Sequence, residues 1–155
     1  MSSGTIARAS DAELSRIIES FDRLSCRLVL LEPYSIEEVA NGVRTLHRSV
    51  ERHIETSRGT REIEQGDSTP NSLRRRELAD DHARFLTSLG ELSALLGIIR
   101  RDDHGGNRQA LGQYGKILSD ALRIHVRAEA ADGTAGLEKP GTVQATEATA
   151  PDELV

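Results

Sequence analysis

LADDHARFLTSLGELSALLGIIRR, residues 78–101, carries apolar side chains at Leu78, Phe85, Leu89, Leu92, Leu96 and Ile99, widened by Leu86, Leu95 and Ile98. Steps of three and four place these residues on one face of a 3.6-residue period, which reads as an amphipathic helix and excludes the two-residue alternation of a half-buried strand. Arg100 and Arg101 close the stretch, where the helix dipole favours cations. The helix is expected to begin near Ser72, after a loop from Arg58 to Asn71 that contains Gly59, Gly66 and Pro70.

The same rhythm recurs on both sides. Downstream, after a turn at Asp102–Gly106, Leu111, Tyr114, Leu118 and Leu122 with Ile117 and Ile124 predict a helix to about Ala131. Gly112 and Gly115 weaken it by roughly 1 kcal/mol each relative to alanine. Upstream, Ser10 with Glu13 and Ser35 with Glu38 have the spacing of a capping box, predicting helix starts just after Ser10 and Ser35. The first carries Leu14, Ile17, Phe21, Leu24, Leu28 and Leu31 and stops before Pro33; the second carries Ile36, Val39, Val43, Leu46 and Val50. Short connections force antiparallel neighbours, so the expectation is an all-α, up-down-up-down four-helix bundle over 11–131. Residues 1–10 read as a flexible N-terminus. Residues 132–155 lack an aromatic residue or a sustained period and read as a disordered acidic tail.

Composition agrees with that architecture. Of 155 residues, 37% are apolar, 29% charged and only 3% aromatic, so the core must be aliphatic. A single cysteine, Cys26, excludes an internal disulfide, and off the first ladder it reads as an inert thiol. No apolar run is long enough for a membrane span and no signal core opens the chain, so a cytoplasmic protein is expected. The net charge of −5 falls mostly on the tail, which leaves a nearly neutral body with no electrostatic footprint for nucleic acid. The run Arg74, Arg75 and Arg76 reads as a solvated helix face.

Extending each ladder past its last aliphatic residue brings in polar groups. On the second helix it reaches His53 and Ser57, on the third His82, and on the fourth His125 and Glu129. The up-down topology places all three histidines at one pole. The inward residues of the first helix at that pole are expected to be Ile17 and Phe21, neither a metal ligand. Three imidazoles and a carboxylate on an apolar wall suit iron or zinc, with His53, His82, His125 and Glu129 as ligands. His47 and His104 are expected to face solvent.

These features resemble the hemerythrin-like (HHE cation-binding) family, which repeats a helical hairpin whose second helix closes with H-x-x-x-E. LADDHARFLTSLGELSALL supplies His82, and LRIHVRAEA supplies His125 and Glu129. The first hairpin is degenerate: IIESFDRLSCRLVLL puts Phe21 where the family has histidine, and VANGVRTLHRSVERHIETS has His53 but Ser57 in place of the glutamate. The resemblance implies a carboxylate-bridged di-iron bundle used for oxygen binding or for oxygen, iron and redox sensing. With only four ligands left, the expectation is a single iron or zinc in a non-catalytic, sensory or storage protein. The alternative is a metal-free helical scaffold that acts on a protein partner. No second inward carboxylate or anion-binding glycine loop favours an enzyme.

Overall fold

The computed structural model describes the backbone of residues 3–63 and 71–147 and the side chains of residues 10–57 and 76–131. It contains four helices, α1 (Ser3–Val29), α2 (Ile36–Ile63), α3 (Asn71–Arg101) and α4 (Gly105–Glu147). Each packs on its two neighbours around the bundle: α1 on α2 and α4, α3 on α2 and α4. The core is aliphatic, with Leu14, Ile18, Val39, Leu46, Leu89, Leu92, Leu111 and Leu122 all buried.

Three boundaries differ from the sequence reading. The first helix starts at Ser3, so Ser10 lies inside it rather than capping it. Ala7, Arg8 and Ala9 are good helix formers and no breaker separates them from Ser10, so the Ser10–Glu13 spacing carries no boundary. The second helix continues to Ile63, through Gly59, and the third opens at Asn71, so only 64–70 of the expected loop falls outside the two helices and outside the described residues. The fourth helix continues as backbone to Glu147, beyond the end expected near Ala131; Ala128, Ala130 and Ala131 favour that continuation. The last part of the expected tail, 148–155, lies outside the described residues. The start at Ser35 stands: α2 begins at Ile36, with the Val39 amide donating to the Ser35 carbonyl at 3.1 Å.

Two registers also shift. Ile18, rather than Ile17, takes the buried position between Leu14 and Phe21 on α1, and Leu31 leaves the ladder. Leu31 sits at φ 57°, in the left-handed region, where it ends α1. The Glu32 amide donates to the Arg27 carbonyl at 2.9 Å and the Leu31 amide to the Leu28 carbonyl at 3.1 Å, the paired bonds of a Schellman cap. Ile117 and Ile124, expected to flank the core, are 70% and 68% exposed.

The two glycines of α4 owe their presence to packing on α1. A Cβ on Gly112 would stand 2.6 Å from the Ser25 carbonyl oxygen, and one on Gly115 would run into Ser25 Oγ. The propensity cost is therefore offset by close helix approach. Charges flank this contact: Arg123 pairs with Glu19 at 2.7 Å and Asp22 at 2.9 Å, and Lys116 with Asp22 at 3.3 Å.

The pole with the short connections is tied by polar contacts. Tyr34 Oη donates to Asp103 Oδ1 at 3.0 Å, joining the α1–α2 turn to the α3–α4 turn. Arg108 bonds the same Asp103 oxygen at 2.6 Å and lies over the Tyr34 ring, 5.0 Å from its centroid. The opposite pole receives the end of α2, the start of α3 and the middle of α4, and there the histidines gather.

Candidate metal centre

His53, His82 and His125 are all buried, and Glu129 joins them with a side chain only 15% exposed. One donor atom from each of the four lies within 4.8 Å of the others. Three helices thus bring to one pole the four residues that the sequence singles out. His47 and His104 stand on the surface, His47 beside Glu51 and His104 with Nδ1 accepting from the Gly106 amide.

All three rings direct Nε2 toward the same carboxylate. Glu129 Oε1 lies 2.9 Å from His125 Nε2 and 3.1 Å from His82 Nε2, while Oε2 lies 2.7 Å from His53 Nε2. The Nε2 atoms of His82 and His125 are themselves 2.9 Å apart. The rings stand edge to face, with interplanar angles of 89°, 81° and 64°, so they fan around a common point. Phe85 packs edge-on against His125 at 5.1 Å and closes the apolar wall on that side.

Charge is distributed unevenly in this cluster. Burial pushes the His53 imidazole down, but the carboxylates of Asp11 and Glu129 outweigh it and lift its pKa to about 9. For His82, burial dominates and holds its pKa below the ordinary value. Glu129 is buried, which opposes ionisation, yet the three imidazoles hold its carboxyl well below the usual range. The buried site therefore keeps an anion.

A metal ion fits this set of donors on two observations. The Nε2 of His53 is fully buried and has no hydrogen bond; its 2.7 Å approach to Glu129 Oε2 is a charge contact off the direction in which the ring would donate. Once that ring is neutral, a cation between Nε2 and the carboxylate would satisfy both. Moreover, zinc–nitrogen bonds of about 2.0–2.1 Å imply tetrahedral donor separations of about 3.3–3.4 Å. Separations among the four donors run from 2.7 Å to no more than 4.8 Å, a range that brackets this value.

Two further carboxylates touch the outer edges of the rings, and the sequence reading missed both. Asp11 Oδ1 lies 3.1 Å from His53 Nδ1, and Asp81 Oδ2 lies 3.1 Å from His125 Nδ1. Asp11 sits one step before Leu14 on the α1 ladder, inside the helix expected to start after Ser10, so the same backward extension reaches it. Asp81 is the neighbour of His82 and lies on the flank of α3 that faces α4; a step of four back from Phe85 reaches it, as a step of three reaches His82, and the ladder as read takes only the latter step.

The inward positions of the two hairpins correspond. Asp11, Leu14, Ile18, Phe21, Ser25 and Leu28 of α1 each lie 71 positions before His82, Phe85, Leu89, Leu92, Leu96 and Ile99 of α3. Val50, His53 and Ser57 of α2 each lie 72 positions before Leu122, His125 and Glu129 of α4. By this register the partner of His82 is Asp11, and Phe21 matches Leu92. Phe21 packs at mid-bundle, with its ring 3.0 Å from where a Gly115 Cβ would stand. Comparison with models of protein families, with curated proteins and with solved structures finds no match to this chain. Among the described residues no helix is long and apolar enough to cross a membrane.

Proposed function

We propose that the chain is a hemerythrin-like bundle that holds one metal ion, iron or zinc, through Nε2 of His53, His82 and His125 and the carboxylate of Glu129, in a sensory or storage role rather than a catalytic one. The observation that carries this reading is the convergence of four donor atoms from three helices within 4.8 Å in a buried pole. Bound iron would supply a one-electron couple there; zinc would supply a fixed positive charge. The chain's own contribution is to hold three imidazoles and one anion in place and to exclude bulk water. Ser57, where α4 has Glu129, and Asp11, where α3 has His82, favour one ion over two.

Elemental analysis after anaerobic reconstitution with Fe(II), and separately with Zn(II), tests the reading. About one ion per chain is expected, lost in His125→Ala while the helical content remains. Unchanged uptake in that variant would reject the ligand set, and two ions per chain would reject the single-metal reading.

A second reading is a metal-free scaffold for a protein partner. It is favoured by the contacts between Glu129 and all three imidazoles, since a carboxylate so surrounded compensates its own burial without a cation. Under this reading saturating metal leaves the melting temperature unchanged, whereas an ion bound only by the native state must raise it.

A further inference from the structure

The donor cluster accounts for the inner nitrogen of each imidazole and leaves the outer ones to be explained. A histidine can present either ring nitrogen to a cation, and the choice is set by what holds the other one. In His53 and His125 that other nitrogen is Nδ1, and in each case it meets an aspartate at 3.1 Å. The two aspartates come from different helices. Asp11 belongs to α1, which contributes no ligand, and Asp81 belongs to α3, whose ligand is the adjacent His82.

We infer that Asp11 and Asp81 are positioning residues for the metal centre: each accepts a hydrogen bond from Nδ1–H, of His53 and His125 respectively, and so aims the Nε2 lone pair at the common point beside Glu129. This rests on the single-metal reading and adds to it the groups that orient the ligands. The geometry is reciprocal between the third and fourth helices. One turn of α3 places His82 Nε2 beside Glu129 and Asp81 Oδ2 beside His125, so ligand and orienting group arrive from consecutive residues. Arg84 approaches the other Asp81 oxygen at 3.5 Å and holds the carboxylate from the solvent side.

Both aspartates are about one-third exposed, which suits groups that touch a ring edge rather than the ion. A carboxylate there does two things for the donor. It fixes the tautomer with the proton on Nδ1, and it makes Nε2 a better donor by sharing that proton's charge. Asp11 also brings α1 into the arrangement, so all four helices take part although only three provide ligands.

The test uses Co(II) alone as the probe, with the full chain and its Asp11→Asn, Asp81→Asn and Asp80→Asn variants. Asparagine keeps an acceptor oxygen near Nδ1 and removes the charge; exposed Asp80, adjacent to Asp81, controls for net charge. Asp11→Asn and Asp81→Asn are expected to bind Co(II) about 10- to 100-fold more weakly than the parent. Their ligand-field absorption bands should shift, a signature that a merely structural aspartate would not move, while Asp80→Asn stays within about twofold of the parent. Parent-like affinity and bands in Asp11→Asn and Asp81→Asn, with the parent binding one ion, would overturn the positioning role and leave the metal reading intact. Equal weakening in Asp80→Asn would likewise overturn it, as a general charge effect. No uptake by the parent would overturn both.

Discussion

His82 and His125 face each other through their Nε2 atoms at 2.9 Å, 43 positions apart in the chain, with one Glu129 oxygen within 3.1 Å of both. Two imidazoles can approach so closely only if at most one proton lies between them, since two facing N–H groups would collide. The metal-free cluster is thus sensitive to protons, with different signs at its different members.

For the metal-free protein, the alkaline side is governed by His53. Its pKa is raised from 6.5 to about 9, so its contribution to stability is full below about pH 6.5 and is lost as pH rises through about 9. Glu129 is depressed and His82 is depressed, so their contributions are present above the ordinary values of 4.5 and 6.5 and decline as pH falls. The melting temperature without metal should therefore fall between pH 7 and pH 10. Measured in His53→Gln, that alkaline decline should be reduced; an equal decline would place its origin elsewhere.

Metal uptake should run the other way. Coordination requires neutral His53, which at neutral pH carries a proton, so binding displaces about one proton at pH 7. Affinity is expected to rise about tenfold per pH unit between 7 and 8 and to level off above about 9. Calorimetry in buffers of differing ionisation enthalpy counts the proton directly, and a pH-independent affinity would contradict the assignment of His53 as a ligand.

Gly112, in the contact of α1 with α4, and Gly90, on the open face of α3, should respond oppositely to replacement by alanine. In Gly112→Ala the new methyl meets the Ser25 carbonyl oxygen at 2.6 Å and Leu28 Cβ at 2.9 Å, both close to the backbone and unable to move away cheaply. A loss of about 1–3 kcal/mol is expected. Gly90→Ala meets nothing within 4 Å and should gain about 1 kcal/mol through helix propensity. Urea unfolding of the two variants decides both, and a neutral Gly112→Ala would mean that the helices can separate without loss.

Leu31 holds a left-handed conformation that its Cβ resists, at a cost of about 1–2 kcal/mol. Its side chain is almost half exposed, so little burial is forfeited on removing it. Leu31→Gly should raise stability by about 0.5–1 kcal/mol in the same unfolding measurement. The Leu31 methyls lie 3.5 and 3.6 Å from where a Gly105 Cβ would stand, so a loss instead would show that its packing at the start of α4 outweighs the strain.

The helical architecture and the four central residues are legible in the sequence because both depend on one period. Leu89, Leu92 and Leu96 mark an inner face, and the same period carried to His82, His53, His125 and Glu129 finds the polar end of it. Boundaries are less legible. The Ser10–Glu13 spacing imitates a cap inside a helix, and Asp11, three positions before Leu14, is within reach of the same extension although the sequence reading leaves it out of the site. Asp81 and His82 are both reached from Phe85, by steps of four and three, and which of them turns toward the centre and which toward α4 depends on how α3 meets α4, which no single-helix pattern encodes. Ile117 and Ile124 fail for a related reason: hydrophobicity marks a residue as suited to a core, while the rotation of α4 set by Gly112 and Gly115 turns those two outward.

The Tyr34–Asp103 bond gives the molecule a fixed end. With both short turns fastened there and the imidazoles toward the other pole, the two hairpins are joined directly at one place and meet around Glu129 at the other. His53 from the first hairpin and His82 and His125 from the second reach the same carboxylate, so an ion held there would act as a second clasp between the hairpins, across the core from Tyr34.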